Sequence, residues 1–73
     1  MVFKVTLEAA RVNAGLSQKE AAKMLGISNK TLQNWESGKS YPSADKIAEI
    51  CELYQIPYDC INFLPKRSLK ASN

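Results

Sequence analysis

The chain has 73 residues, 45% apolar and 23% charged, with ten Lys and Arg against seven Asp and Glu, no His, and a net charge of +3. That length accommodates one small domain with a modest core, and the apolar share excludes a disordered tail. No apolar run approaches the ~20 residues of a membrane span, and the N-terminus carries no signal peptide, so a cytoplasmic protein is expected.

Met1 to Val5 reads as a short extended lead-in, and five helical patterns follow it. Thr6 is suited to cap a first helix, Leu7 to Asn13, with Leu7, Ala10 and Ala14 at helical spacing and Gly15 beyond its end. Ser17 caps a second helix, and Glu20 three residues later completes a capping box. Ala21, Ala22 and Leu25 form the inner face of that helix, and Gly26 closes it. Ser28 caps a third helix that runs to about Ser37, with Leu32 and Trp35 inward and Gly38 as its stop. Lys39-Ser40-Tyr41-Pro42 reads as a loop. Ser43 caps a fourth helix, Ala44 to Tyr54, whose packed side holds Ile47, Ala48, Ile50, Cys51 and Leu53. Pro57 suits the first turn of a fifth helix, roughly Tyr58 to Phe63, which Pro65 ends. The expected architecture is all-α: a five-helix bundle over residues 1–65, then a frayed basic tail over 66–73.

The second and third helices meet at one glycine, and Ala21 is small where the third must pass close. The third pattern buries Ile27, Leu32 and Trp35 and opens with exposed polar side chains. This pattern is a helix-turn-helix, whose second helix is shaped for a DNA major groove. Major-groove helices read bases near their N-terminal ends. Here those side chains are Ser28, Asn29 and Lys30, with Asn34 one turn beyond Lys30 and Gln33 bordering the same face. An amide pairs with adenine N6 and N7, and an ammonium donates to guanine O6 and N7. Trp35, at helical spacing from Leu32, is read as core and not as a stacking platform. Lys39, Ser40 and Tyr41 are within reach of the backbone flanking the groove, where contacts orient without reading sequence. Gln18 and Lys19 open the second helix, whose N-terminus favours a phosphate.

Gly15-Leu16-Ser17-Gln18-Lys19-Glu20-Ala21-Ala22, Leu25-Gly26-Ile27-Ser28, Trp35-Glu36-Ser37-Gly38-Lys39 and Tyr41-Pro42 resemble the phage-repressor and Cro-like (Xre-type) helix-turn-helix family over residues 6 to about 64. The resemblance implies a lambda-repressor-like five-helix bundle that binds operator DNA as a two-fold dimer. It implies that Asn29, Lys30 and Asn34 touch bases. It also implies that Gln18 bonds a phosphate and braces the first residue of the reading helix, and that Arg11 pairs with Glu36 across the bundle.

The expected function is a sequence-specific DNA-binding regulator, a Cro-like or small repressor acting by occupancy of an operator. The alternative is an antitoxin-type module that holds a partner protein and binds its own promoter. Ile56, Tyr58, Ile61 and Phe63 exceed what one small core needs and are expected at a dimer surface. Glu8, Glu49 and Glu52 form a solvated acidic side. No enzyme is written here: there is no glycine-rich phosphate loop and no recognisable nucleophile–base pair. Cys51 and Cys60 are read as reduced, packed thiols, and a zinc site lacks ligands. No cofactor, metal or small-molecule substrate is expected.

Overall fold

The structure is a computed structural model and describes residues 4–63. The order is β1 (Val5–Thr6), α1 (Leu7–Asn13), α2 (Gln18–Leu25), α3 (Asn29–Ser37) and α4 (Ala44–Tyr54), then one 3₁₀ turn (Tyr58–Cys60) and β2 (Ile61–Asn62). The expected ends of all four helices agree with those observed. The expected boundary near residue 65, the stop at Pro65 and the basic tail lie outside the described residues.

Each helix starts on a hydroxyl. Thr6, Ser17, Ser28 and Ser43 accept the backbone N–H three residues on, at 3.0, 3.0, 3.0 and 3.3 Å. These bonds satisfy donors that have no partner within the helix. At α2 the cap is reciprocal, because Ser17 N–H donates to Glu20 Oε1 at 2.9 Å. The Ser17 backbone and hydroxyl together hold the Glu20 carboxyl below its usual range. Between α2 and α3, Gly26 takes φ 71°, and a Cβ there would meet nothing within 4 Å. The glycine is needed for its backbone, since left-handed conformation costs an L residue ~1–2 kcal/mol.

The fifth helix is not formed. After α4, closed by Gln55 at φ 56°, the chain makes a single turn in which Cys60 N–H donates to the Pro57 carbonyl at 2.9 Å. It then extends, and β2 pairs in parallel with β1, Val5 against Ile61 and Thr6 against Asn62. The reason is period: Ile61 and Phe63 are buried and Asn62 is half-buried between them, an alternation of two residues that belongs to a strand. The described residues therefore form four helices tied by a two-stranded ribbon, and the all-α reading is corrected to that extent.

Leu7, Ala10, Ala21, Ala22, Leu25, Leu32, Trp35, Ile50 and Tyr54 form the core together with Ile61 and Phe63. Ala21 and Leu32 are fully buried, as the close crossing of α2 and α3 requires. Two expected core positions are not: Ala14 is the exposed cap residue after α1, and Ala48 faces outward on α4. Cys51 and Cys60 are half-buried free thiols. Burial pushes the Cys51 thiol up from its usual value, which disfavours the reactive thiolate. No helix among the described residues is long and apolar enough to cross a membrane.

Candidate nucleic-acid interface

The turn at Gly26 sets α3 against α2, and the polar start of each helix lies beside the other. Asn29 Nδ2 donates to Gln18 Oε1 at 3.4 Å, which brings the first residues of the two helices together. Ser28 is engaged in its own helix: its hydroxyl accepts from Thr31 N–H and shares a bond of 2.9 Å with the Thr31 hydroxyl. Lys30 and Gln33 are exposed, and neither side chain has a hydrogen bond or ion pair among the described residues. Asn34 is half-buried on the same side of α3. Its carbonyl accepts Lys39 N–H at 2.9 Å and the Ser37 hydroxyl at 3.2 Å, so it anchors the loop that follows. Leu32 and Trp35 turn inward, which leaves the outer face of α3 rich in amide and ammonium groups.

Lys19, Lys39 and Ser40 are exposed. Tyr41 is not a free loop residue. Its ring meets Phe63 edge-on with centroids 6.1 Å apart, and Tyr58 stacks on Phe63 at 5.7 Å. Partial burial and the neighbouring Tyr58 phenol push the Tyr41 hydroxyl up from its usual value.

Of the residues expected at a dimer surface, Ile61 and Phe63 are taken into the chain's own core, 3% and 6% exposed, because the ribbon buries them. Ile56 is half-buried against that core, and Tyr58 is 54% exposed. Glu8, Glu49 and Glu52 are exposed, as expected of a solvated acidic side.

Between α1 and α3 lies a buried ion pair. Arg11 Nε donates to Glu36 Oε2 at 2.7 Å, with the two side chains 10% and 6% exposed. Arg11 Nη1 also donates to the Leu16 carbonyl at 2.9 Å, and so ties α1 to the approach of α2. Glu36 reaches further: its Oε1 accepts Gln18 Nε2 at 3.0 Å. Tyr54 lies close to the pair. Burial pushes its phenol up to about 12, the Glu36 charge adds to this and Arg11 opposes it. The Tyr54 hydroxyl is buried without a hydrogen-bond partner among the described residues.

Two contacts had no signal in the sequence. One is the bond from Gln18 to Glu36. The other is Lys46 Nζ, which donates to the Leu25 carbonyl at 2.7 Å and closes the last turn of α2 from α4. Both cross between helices, where one-dimensional spacing carries no information.

A model of the helix-turn-helix family matches residues 7–59. The chain is 40% identical over 53 residues to the HTH-type transcriptional regulator ImmR of Bacillus subtilis, covering 73% of this chain and 42% of that protein. It is 30% identical over 59 residues to the HTH-type transcriptional activator BcrR of Enterococcus faecalis, covering 81% of this chain and 29% of that protein. It thus spans less than half the length of these relatives. No solved structure matches. With its capped α2, its left-handed glycine turn and its outward polar α3, the chain belongs to the helix-turn-helix family of Xre type, the phage-repressor and Cro-like proteins.

Proposed function

We propose that this domain is a sequence-specific double-stranded-DNA-binding transcription regulator, acting in the cytoplasm by occupying an operator with α3 in the major groove. One observation carries the reading: Lys30 and Gln33 on the outer face of α3 are exposed and, among the described residues, without polar partners, beside an Asn29 braced by Gln18. Side chains in that state have donors and acceptors to offer to base edges. The regulators among its relatives support the same reading. Selection from a random double-stranded DNA pool at two salt concentrations tests it, and recovery of no consensus sequence would refute it.

In this reading Asn29, Lys30, Gln33 and Asn34 read bases, and Ser28 fixes the start of α3. Each good bidentate base contact discriminates by ~1–3 kcal/mol. Lys30→Ala or Asn34→Ala should therefore relax base preference at one or two positions per half-site. The Lys30 change should leave the melting curve near that of the wild type, because its side chain is exposed. Unchanged preference at every position in both variants would remove α3 from the groove.

Gln18, Lys19, Lys39, Ser40 and Tyr41 engage the phosphates on either side. Lys39→Ala should weaken binding to all sequences alike and lower the log–log salt slope by about 1 per subunit, and so by about 2 in a dimer. Binding titrations from low to moderate salt measure this, and an unchanged slope would show that the loop stays off the DNA. Two copies on half-sites ~34 Å apart supply the contacts that one small domain lacks. Tyr58 and the edge of Ile56 are the apolar groups of the expected dimer surface that remain at least partly exposed. Footprinting at saturation checks this, since a two-fold site requires two protected half-sites.

A further inference from the structure

Gln18 and Asn29 meet amide to amide. An amide has an oxygen end that accepts and an NH₂ end that donates, and the two ends are nearly the same size. Shape therefore does not decide which end each residue presents. Charge decides it here. The Glu36 carboxylate is held by Arg11 at 2.7 Å, and an ionised carboxylate only accepts. Gln18 must accordingly turn Nε2 to Glu36, where it donates at 3.0 Å. That leaves Gln18 Oε1 for Asn29. An oxygen only accepts, so Asn29 turns Nδ2 to it at 3.4 Å. Reversing Gln18 would lose a bond to a charged group, about twice as strong as a neutral one, and set two acceptors face to face.

The consequence reaches the groove. Among the described residues, Asn29 keeps its Oδ1 acceptor and one N–H uncommitted. An acceptor beside a donor complements the adenine edge, where N6 donates and N7 accepts. We propose that Glu36 is a positioning residue for base recognition: from a buried site it sets the amide of Gln18, and through it that of Asn29, so that the domain selects adenine at the base pair Asn29 faces. This rests on the reading of α3 as the groove element.

Glu36→Gln tests it. The new side chain keeps the size of the old one, but Arg11 only donates, so the new amide turns its oxygen to Arg11 and its NH₂ to Gln18. Gln18 must then turn its oxygen to position 36 and its NH₂ to Asn29, which draws the Asn29 oxygen away from the base. The base pair concerned is the one at which Asn29→Ala abolishes preference. At that pair the wild type should favour adenine by about tenfold or more, within the range of a bidentate contact. Glu36→Gln should reduce this preference to under about threefold, while preference at the pairs read by Lys30 and Asn34 is kept. A merely structural role for Glu36 would weaken all positions together.

Should Glu36→Gln fail to fold, the double change Arg11→Met with Glu36→Leu removes both charges and leaves neither buried alone. It should show the same position-specific loss. A measurement on the wild type needs no variant: by NMR, the Gln18 side-chain amide protons should exchange with solvent more slowly than those of exposed Gln33. Three results would overturn the proposal: a folded variant with full adenine preference at the Asn29 position, a wild type that selects another base there, or equal exchange at Gln18 and Gln33. Failure of the wild type to select any operator would instead remove the groove reading on which it rests.

Discussion

Trp35→Ala should lower stability by ~3–5 kcal/mol, the cost of emptying a large buried site that the surroundings fill only in part. Trp35 is 8% exposed and sits on the inner side of α3, among the residues that hold this helix to the bundle. A chain of this length has ~4–11 kcal/mol in all, at ~0.05–0.15 kcal/mol per residue, so the variant stands near or past its unfolding point. For a domain of this size each kcal/mol moves Tm by about 4–8 °C. A thermal melt followed by circular dichroism should show a fall well beyond 10 °C, and DNA binding should vanish for every sequence at once. That pattern is the reverse of the one expected for Lys30→Ala, where the melt holds and one or two base positions lose their preference. A Trp35→Ala protein that melts within a few degrees of the wild type would show that the indole is not a keystone of the core.

The four helices were legible because their signals are local. A hydroxyl at Ser17, Ser28 or Ser43, a carboxylate at Glu20, and a glycine past the end of α2 or α3 each act within one turn of the chain. The outer face of α3 was legible for the same reason, since a period of 3.6 assigns Leu32 and Trp35 to one side and Lys30 and Gln33 to the other. The fate of the segment after Pro57 is not local. Whether Ile61 and Phe63 lie on a helix or a strand depends on Val5 and Thr6, at the other end of the described chain. Local spacing alone shows Ile61 and Phe63 only as surplus apolar surface, which points to a dimer; the ribbon with β1 instead buries them within the chain. The pairing of Arg11 with Glu36 came from family resemblance; the further bond from Glu36 to Gln18 depends on how α2 and α3 cross, which spacing along the chain does not encode.

Arg11→Ala should cost ~3–5 kcal/mol, as removing one member of a buried pair does when the other charge stays behind. The carboxylate of Glu36 would keep the neutral Gln18 amide, but an amide does not offset a buried charge as a guanidinium does. The Leu16 carbonyl would also lose its donor, which loosens the chain just before the cap of α2. The comparison that matters is with the double change Arg11→Met and Glu36→Leu. Well-packed apolar replacements of a buried ion pair are often neutral or stabilising, because the cost of taking two charges out of water disappears. Chemical denaturation should thus place the double variant close to the wild type and the single variant far below it. Equal losses in the two would mean that the pair contributes net stability, and that Arg11 and Glu36 are kept for the bundle. A stable double variant that no longer discriminates at the Asn29 position would mean the opposite: the charges are dispensable for folding, and their use is to orient the amides above them.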